Sequence, residues 1–282
     1  MTSHPAIAPS HVAVITGGAS GIGFAAARAF AERGMKIAIA DRDAAALKAA
    51  GQVLATLVGE DNVLAVETDV GNRKDIAYLQ EQVLARFGKV HVLMNNAGMQ
   101  PGSAIFGAPE VWERVLAVNL GGIINGTQVF APGMIARGEP ALIINTGSKQ
   151  GITTPPGDPA YNVSKAGVKT FTEALQHELR NTEGCKVSAH LLIPGFVFTP
   201  LAARGRTEKP AGAWTPEQTV DFMLERLAAG DFYILCPDGD TPRALDERRM
   251  AWAMGDIIEN RPPLSRWHKD YDAAFKAFVA KG

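Results

Sequence analysis

Short apolar runs alternate with longer segments of helical periodicity along this chain of 282 residues. Strands that are buried on both faces of a parallel sheet are almost continuously apolar, whereas a helix packed on a sheet carries one apolar stripe. The apolar runs predict strands at His11–Thr16, Met35–Ala40, Asn62–Val66, His91–Asn95, Ala141–Thr146, Lys186–Ile193 and Phe232–Cys236. The intervening periodicity predicts helices at Gly21–Arg33, Asp43–Leu57, Lys74–Phe87, Glu110–Arg137, Ala160–Arg180 and Pro216–Ala229.

This alternation predicts an α/β fold, a single-domain Rossmann-type doubly wound parallel sheet of about seven strands with helices on both faces. The expected organisation is an N-terminal tail over residues 1–10, one domain over residues 11–237 and a C-terminal extension over residues 238–282. The segment 196–213 is rich in glycine, proline and charge, and we expect it to form a lid over the substrate.

Composition narrows the class of protein. Hydrophobic residues make up 46% and charged residues 20% of the chain, and the net charge of −1 argues against nucleic acid or an anionic membrane as a partner. Two cysteines and scattered histidines predict neither a disulfide framework nor a catalytic metal. Met1–Ser10 does not resemble a secretion signal and no apolar run approaches ~18 residues, so we expect a cytoplasmic protein.

A glycine-rich turn joins the first predicted strand to the first predicted helix. Its sequence is Thr16-Gly17-Gly18-Ala19-Ser20-Gly21-Ile22-Gly23. Glycines allow backbone N–H groups to approach a pyrophosphate closely, and the positive end of the helix dipole favours the phosphate charge. The turn therefore predicts a dinucleotide site with Gly17, Ser20, Gly21, Ile22 and Gly23 as candidate contacts.

Asp41 ends the second predicted strand, where a carboxylate would accept hydrogen bonds from the adenosine ribose of the dinucleotide and repel a 2′-phosphate. Arg42 follows directly and could pair with such a phosphate. We therefore expect NAD as the cofactor, with NADP as the alternative. A helix N-cap or an ordinary turn is the structural alternative for Asp41.

Tyr161 and Lys165 are four residues apart and share a face of the predicted helix. A free tyrosine has a pKa near 10, and an adjacent ammonium group is expected to lower it, which would allow proton exchange near neutral pH. Ser148, at the end of the fifth strand, could orient the reacting oxygen. Each residue alone could serve packing or a turn, but together with the glycine turn they predict a catalytic site.

These motifs resemble those of the short-chain dehydrogenase/reductase family. The resemblance extends over about Val12 to Thr199 and includes the glycine turn, Asn95-Asn96-Ala97-Gly98, Ser148, Tyr161-x3-Lys165 and Pro194-Gly195-x3-Thr199. Two features depart from the family pattern: the extension after Pro237, and the polar pair Lys149-Gln150 directly after Ser148.

The resemblance implies a role for each matching residue. Tyr161 would be the general acid and base, Lys165 would lower its pKa and hold the nicotinamide ribose, and Ser148 would position the substrate. Asn119 would complete this catalytic set from an irregular helix; a polar residue tolerated beside two glycines is the alternative.

The resemblance also implies further contacts to the cofactor and the substrate. The implied cofactor contacts are Asp69, Val70, Asn96, Ala97, Gly98, Tyr161, Lys165, Pro194, Gly195, Val197 and Thr199. The residues expected to line the substrate pocket are Met99, Gln150, Pro155, Phe196, Phe198, Leu201 and Trp214. This second set is mostly apolar and favours a medium-sized, partly apolar substrate, although Arg204 and Arg206 could instead select an acid.

The expected function is an NAD-dependent oxidoreductase that transfers a hydride between the nicotinamide and a secondary alcohol or ketone. The alternatives are an NADPH-dependent carbonyl reductase and a cofactor-binding regulator or structural subunit without turnover. The resemblance further implies a homodimer or homotetramer paired through Glu110–Arg137 and Ala160–Arg180.

The extension is too rich in aromatic residues for a disordered tail. Tyr271, Phe275 and Phe278 are spaced to share one helical face, which must bury against something. We expect the extension to fold and to cover part of an active site, its own or a neighbour's. Packing on the back of the domain is the alternative.

Overall fold

Seven parallel strands form one sheet in the order β3-β2-β1-β4-β5-β6-β7. The structure is a computed structural model that describes residues 4–203, 205–239 and 241–280. The strands are β1 Val12–Thr16, β2 Lys36–Asp41, β3 Val63–Glu67, β4 Val92–Asn95, β5 Ala141–Thr146, β6 Val187–Ile193 and β7 Tyr233–Leu235. All seven lie where the apolar runs predict them, and the predicted fold class is confirmed.

Helices cover both faces of this sheet. Their bounds are α1 Gly21–Ala31, α2 Ala44–Val58, α3 Arg73–Phe87, α4 Pro109–Leu116, α5 Gly122–Ala136, α6 Gln150–Thr153, α7 Pro159–Asn181, α8 Pro200–Ala203, α9 Pro216–Ala228, α10 Arg243–Ile258 and α11 Asp272–Ala280. Side chains alternate along each strand, so Ala13 and Ile15 pack against α1, α2 and α9 while Val12 and Val14 pack against α3, α5 and α7.

The strand order reverses between β1 and β4. The chain builds the sheet outward from β1 to β3, returns to β4 beside β1, and continues in the other direction to β7. In open parallel sheets, ligands bind in the crevice at the carboxyl ends of the strands at such a switch point. The topology therefore places the candidate site after β1, β4 and β5.

The predicted helix Glu110–Arg137 is interrupted. Residues Ala117–Gly121 form a π-helical turn between α4 and α5. Together α4, this turn and α5 form a continuous stretch, Pro109–Ala136, that is long and apolar enough to cross a membrane by length and composition. Half of its most apolar window is buried in the fold, and core helices of soluble proteins have the same character, so the stretch is weak evidence for a membrane span.

Within the described residues, the N-terminal segment and the extension both pack on the domain, the extension through contacts between α10 and α6. The expected N-terminal tail places Ala6 and Ile7 in the core. In the extension, Trp252 on α10 is 5% exposed and contacts the rings of Phe275 and Phe278 on α11. The expected three-ring face is wrong for Tyr271, because this residue lies in a separate 3-10 helix before α11 and contacts His268 instead.

A buried histidine joins β1 to the turn before β5. His91 is 1% exposed; its Nδ1 accepts the Val12 N–H at 2.9 Å, and its Nε2 lies 3.2 Å from the Glu139 carboxylate. Its ring stacks on His11 with 3.8 Å between centroids. Burial, and then the positive neighbours His11 and Lys89, lower the pKa of His91 to about 4. The folded protein therefore requires the neutral ring.

Acid should destabilise the fold through His91. Its folded pKa lies below its unfolded value of 6.5, so its stabilising contribution is complete above pH 6.5 and is lost as the pH falls through 4. Over that range we expect the free energy of unfolding to fall by roughly 1.4 kcal/mol per pH unit from this residue. The measurement is urea unfolding of the wild type and His91→Gln between pH 4 and 7. His177→Gln, an exposed change on α7, is the control. An identical pH slope in His91→Gln and the wild type would contradict the assignment.

Candidate active site

A cleft of about 590 Å³ opens at the carboxyl ends of the central strands. Its walls come from the segments that follow β1 to β7. All but one of the predicted cofactor residues line it: Gly17, Ser20, Gly21, Ile22, Asp41, Arg42, Asp69, Val70, Asn96, Ala97, Gly98, Tyr161, Lys165, Pro194, Gly195, Val197 and Thr199. The exception, Gly23, lies behind the turn. A Cβ there would meet the Gly17 carbonyl oxygen at 2.1 Å, so its absence permits packing of the turn on α1.

The glycine turn packs directly on the segment after β4. Gly17 has a φ of +63°, and a Cβ on it would lie 2.8 Å from Ala97 Cα. Thr16 Oγ1 accepts the backbone N–H groups of Asn96 at 3.0 Å and Ala97 at 3.2 Å. The Asn96 side-chain amide donates to the Thr16 carbonyl at 3.3 Å and accepts from Thr146 at 3.2 Å. Asn96 therefore ties together the ends of three strands, a bracing role beyond the predicted cofactor contact.

The start of α1 has the donor chemistry that a pyrophosphate requires. Ser20 is its N-cap residue, but within the described residues its side chain makes no capping hydrogen bond. In contrast, the side chains of Asp43 and Asn72 cap α2 and α3. The first N–H groups of α1 meet the cleft at Gly21 and Ile22, and among the described residues the first turn of α1 contains no acidic side chain. The turn therefore fits the phosphates of a dinucleotide.

Asp41 is the last residue of β2 and lines the same cleft. Its Oδ2 accepts the Ala19 N–H at 3.3 Å, and its Oδ1 accepts the Asp43 N–H at 3.2 Å. The N-cap of α2 is Asp43, so the N-cap alternative for Asp41 is wrong, whereas a contribution to the turn is present. Arg42 lies beside it in the cleft wall.

The structure contains an ion pair between Asp69 and Arg114 that the sequence did not predict. Arg114 on α4 donates to Asp69 Oδ2 at 2.8 Å, and the Gly71 N–H donates to Oδ1 at 2.9 Å. Burial acts to raise the pKa of Asp69, but these hydrogen bonds and the Arg114 charge hold it below its usual value. Arg114 and Asp69 are 45 positions apart along the chain, and no local motif connects them.

Tyr161 and Lys165 occupy the first turns of α7, and Ser148 follows β5 through Gly147. Tyr161 is 8% and Lys165 4% exposed. The Ser148 hydroxyl lies near enough to Tyr161 to lower its pKa, and its Oγ accepts the Gln150 N–H at 3.1 Å. Lys165 Nζ donates to the Thr146 carbonyl at 2.8 Å and lies 5.7 Å from the centroid of the Tyr161 ring. The three predicted side chains thus meet at one point of the cleft.

Burial decides the protonation of this pair. It raises the pKa of Tyr161 to about 12; Ser148 acts to lower this pKa, and the nearby Asp158 charge acts in the same direction as burial. Burial also lowers the pKa of Lys165 to about 8. The expected lowering of the tyrosine pKa by the lysine is therefore wrong for the protein without a bound cofactor. The reason is that the Lys165 ammonium group is directed to the Thr146 carbonyl, and desolvation of the phenol has the largest effect on the Tyr161 pKa.

Asn119 lies in the π-helical turn and is fully buried. Its side-chain oxygen accepts the Met99 N–H at 2.8 Å, and its amide nitrogen donates to the Met99 carbonyl at 3.0 Å and to Ser164 Oγ at 3.1 Å. Asn119 is not among the cleft-lining residues. Its amide instead joins the segment after β4 to α7, the helix that carries Tyr161 and Lys165. The irregular helix that the resemblance implies is present.

The predicted substrate pocket divides into two groups. Met99, Gln150, Phe196 and Leu201 line the cleft. They are joined by Gln100, whose amide nitrogen lies 3.5 Å from the Gln150 side-chain oxygen. This pair adds hydrogen-bonding capacity to a mostly apolar wall.

Pro155, Phe198 and Trp214 are predicted pocket residues that do not line the cleft. Trp214 pairs its backbone with Val197 and its side chain packs on the core, 5.8 Å between ring centroids from Phe222. The Phe198 N–H donates to the Trp214 carbonyl at 2.8 Å. The Pro155 carbonyl accepts from Asn162 at 2.7 Å. The prediction fails here because an irregular segment has no periodicity from which side-chain direction can be read.

The predicted lid, 196–213, contains α8, whose residues Pro200–Ala202 line the cleft. Arg204 lies outside the described residues, so its expected role in selecting an acid stays a prediction. Within the described part of the chain, no group of three or more His, Cys, Asp or Glu side chains is placed to hold a metal ion.

Comparison with known proteins agrees with this geometry. The profile of the short chain dehydrogenase family matches residues 11–210. The chain is 37% identical over 239 residues to a protein named for ketoacyl reductase 1 of the granaticin polyketide synthase of Streptomyces violaceoruber. That match covers 82% of this chain and 84% of the relative.

Two solved structures resemble the fold. A short chain dehydrogenase/reductase of Burkholderia phymatum in complex with NAD is 34% identical and has a TM-score of 0.82, covering 93% of this chain and 98% of the other. An alcohol dehydrogenase of Thermococcus sibiricus complexed with 5-hydroxy-NADP is 27% identical and has a TM-score of 0.70, covering 77% and 90%. Structural neighbours therefore carry cofactors of both the NAD and the NADP type.

The Asn119 amide should be a major contributor to the stability of the site. In Asn119→Asp the side chain keeps its shape but loses both donated bonds, to Met99 and to Ser164, inside a fully buried environment. We expect the free energy of unfolding to fall by about 2–3 kcal/mol, measured by urea unfolding at neutral pH. The control is Asn181→Asp at the exposed end of α7, which should change it by less than about 0.5 kcal/mol. Equal stabilities of the two variants would refute this role.

Proposed function

The chain belongs to the short-chain dehydrogenase/reductase family of oxidoreductases, and from this premise we propose that it is an NAD-dependent enzyme that interconverts a secondary alcohol and a ketone. The observation that carries the proposal is the meeting of Ser148 with the buried side chains of Tyr161 and Lys165 in the same cleft that extends to Asp41. A proton-transferring group thereby lies in one cavity with a site of dinucleotide-binding character.

Each residue of the site has a role in the proposed reaction. A bound nicotinamide supplies the acceptor or donor of a hydride. The Tyr161 hydroxyl exchanges the proton of the substrate oxygen, and Ser148 donates a hydrogen bond that orients that oxygen. Lys165 holds positive charge beside the developing negative charge, and Asn119 holds α7 against the segment after β4. During oxidation the alcohol thus loses a hydride from carbon and a proton from oxygen.

The raised pKa of Tyr161 favours ketone reduction over alcohol oxidation at neutral pH. At neutral pH the phenol is protonated and is ready to act as the acid that ketone reduction needs. Alcohol oxidation requires the phenolate as base, so its rate should rise with pH. The ketone chemistry named for the Streptomyces violaceoruber relative is consistent with a substrate of this class.

The argument for NAD rests on Asp41. Its carboxylate lies at the end of β2, where the adenosine ribose is held in dinucleotide sites, and a 2′-phosphate would meet a negative charge there. Arg42 in the same wall is the specific observation that favours NADP as the second candidate. Asp41 should dominate because its backbone hydrogen bonds from Ala19 and Asp43 fix it in place.

The substrate side favours a medium-sized, partly apolar molecule. Met99, Phe196 and Leu201 offer apolar contacts, while Gln100 and Gln150 offer amide groups for one further polar atom. A regulator without turnover would not need a buried proton donor with a hydroxyl partner, and the retention of both argues for catalysis. Pairing of subunits through the stretch of α4 and α5 and through α7 is a further proposal. Light scattering that shows only monomer at micromolar concentration would contradict it.

Turnover should depend on the Tyr161 hydroxyl. Tyr161→Phe retains the ring and its packing but loses the transferable proton, so we expect kcat to fall by about 10²- to 10⁴-fold. The dissociation constant for NADH, followed by cofactor fluorescence, should change by less than about threefold. Tyr78→Phe, on the exposed face of α3, is the matched control. Retention of wild-type turnover by Tyr161→Phe with a good substrate from a panel of secondary alcohols would overturn the mechanism.

Cofactor preference should depend on Asp41. Asp41→Ser removes the negative charge that would repel a 2′-phosphate. It also removes a strong hydrogen-bond acceptor for the ribose hydroxyls. We expect the ratio of kcat/KM for NAD to that for NADP to fall by at least about tenfold. Asp43→Ser is the control, because serine still caps α2 and the ratio should not move. A wild-type enzyme that uses NADP as efficiently as NAD would instead indicate that Arg42 dominates.

A further inference from the structure

A buried ionic cluster joins the C-terminal extension to the residue that follows Ser148. Lys149 Nζ lies 2.5 Å from Asp246 Oδ2 on α10 and 3.3 Å from Asp238 Oδ1. The side chains of Lys149 and Asp238 are 15% exposed and that of Asp246 is 7% exposed. Lys149 and Asp238 also line the cleft. The cluster therefore extends from the extension into the wall of the active site.

Lys149 is connected at both ends to the segment after β6. Its backbone N–H donates to the Pro194 carbonyl at 3.2 Å. Its ammonium group pairs with Asp238, whose Oδ2 accepts the Phe196 N–H at 2.8 Å. These contacts form a closed ring: Lys149 backbone, Pro194 to Phe196, the Asp238 carboxylate and the Lys149 ammonium group.

The ring leaves almost no room for adjustment. A Cβ on Gly195 would lie 1.8 Å from Asp238 Oδ2 and 3.0 Å from Lys149 Nζ. The carboxylate therefore packs directly against the backbone of this segment. Because closely packed interiors do not deform continuously, we expect a displaced Asp238 to displace residues 194–196 with it.

Asp246 joins this ring to α10. Its pairing with Lys149 counters the cost of burying the carboxylate, and Arg249 lies 3.9 Å from its other oxygen. Arg249 also donates to Thr241 at 3.2 Å, in the turn between Asp238 and α10. Both carboxylates that pair with the Lys149 ammonium group thus belong to the extension.

We propose that Lys149, Asp238 and Asp246 form one ion-paired strut through which the C-terminal extension holds residues 194–196 in register with Ser148, and that Asp246 is therefore a positioning residue for the reaction. The alternative is that Asp246 merely anchors α10. The two differ in which residues loosen when the Asp246 charge is removed. For its kinetic consequence the inference rests on the proposed function, whereas its structural consequence can be measured without any substrate.

The structural test is hydrogen–deuterium exchange of the protein without cofactor. The strut predicts that Asp246→Asn accelerates exchange in the peptide that contains Phe196 by at least about tenfold. The substitution removes one of the two carboxylates that hold the Lys149 ammonium group, and the Phe196 N–H donates to the other, Asp238. The matched control is Glu247→Gln, the next residue on α10, whose exposed ion pair with Arg243 lies away from the cluster. It should leave exchange at residues 194–198 unchanged.

The kinetic test separates positioning from simple loss of folded protein. Rates are expressed per NADH-binding site, so that unfolded molecules do not count. We expect kcat of Asp246→Asn to fall by about ten- to a hundredfold, as misplacement of a reacting group does, while the KM for NAD changes by less than about threefold. The adenosine end of the cofactor site, at Asp41 and the glycine turn, is distant from the strut in the sheet order.

Exchange that rises only within residues 243–258 would show that Asp246 anchors α10 and would overturn the inference, as would wild-type exchange at residues 194–198. If Asp246→Asn does not fold, Asp238→Asn tests the same ring while leaving the Lys149–Asp246 contact in place, and wild-type exchange at residues 194–198 in that variant overturns the inference equally. Absence of turnover in the wild type would count against the proposed function alone, because the exchange result stands without it.

Discussion

Close backbone packing between the glycine turn after β1 and the segment after β4 is the constraint on which the rest of the site depends. Gly17 lies against Ala97, and Gly23 lies against Gly17, at distances that exclude any side chain. The side chains of Thr16 and Asn96 each make a hydrogen bond to the other residue's backbone. This contact places the start of α1 and the floor of the catalytic cleft in one rigid unit, at the reversal of strand order.

The candidate catalytic residues are placed by hydrogen bonds that cross from one strand end to the next. Asn119 holds Met99 against α7, and Lys165 reaches the Thr146 carbonyl at the end of β5. Burying polar groups is unfavourable unless each one has a hydrogen-bond partner. These networks therefore permit few arrangements of the π-helical turn, the segment after β4, the end of β5 and α7. The same burial governs the chemistry, because it keeps Tyr161 protonated and weakens the preference of Lys165 for its charge.

The C-terminal extension packs beside the cleft and contributes to its wall. Trp252, Phe275 and Phe278 give it an apolar cluster, and Ser265 and Arg261 complete a polar network around Trp252. This packing stabilises α10, from which Asp246 reaches Lys149. A folded appendage can therefore influence a reaction without touching the substrate, by fixing charges that the cleft wall needs.

The sequence alone determined the sheet, the helices around it and most of the candidate site. Apolar runs identify buried strands because a strand covered on both faces has no polar alternative. The glycine turn was identifiable from its spacing within one strand–turn–helix, and Tyr161 and Lys165 from their spacing on one helical face. Ser148 was identifiable from its place at the end of the fifth predicted strand. The π-helical turn around Asn119 was implied only by the family resemblance.

Only the tertiary structure decided the contacts between distant segments and the electrostatics that follow from them. Arg114 and Asp69, or Lys149 and Asp246, are far apart along the chain, and no local pattern pairs them. The direction of Trp214 into the core follows from its backbone pairing with Val197. The pKa of Tyr161 depends on how deeply it is buried and on where the Lys165 ammonium group points. Such quantities arise from packing in three dimensions, and spacing along a chain does not contain them.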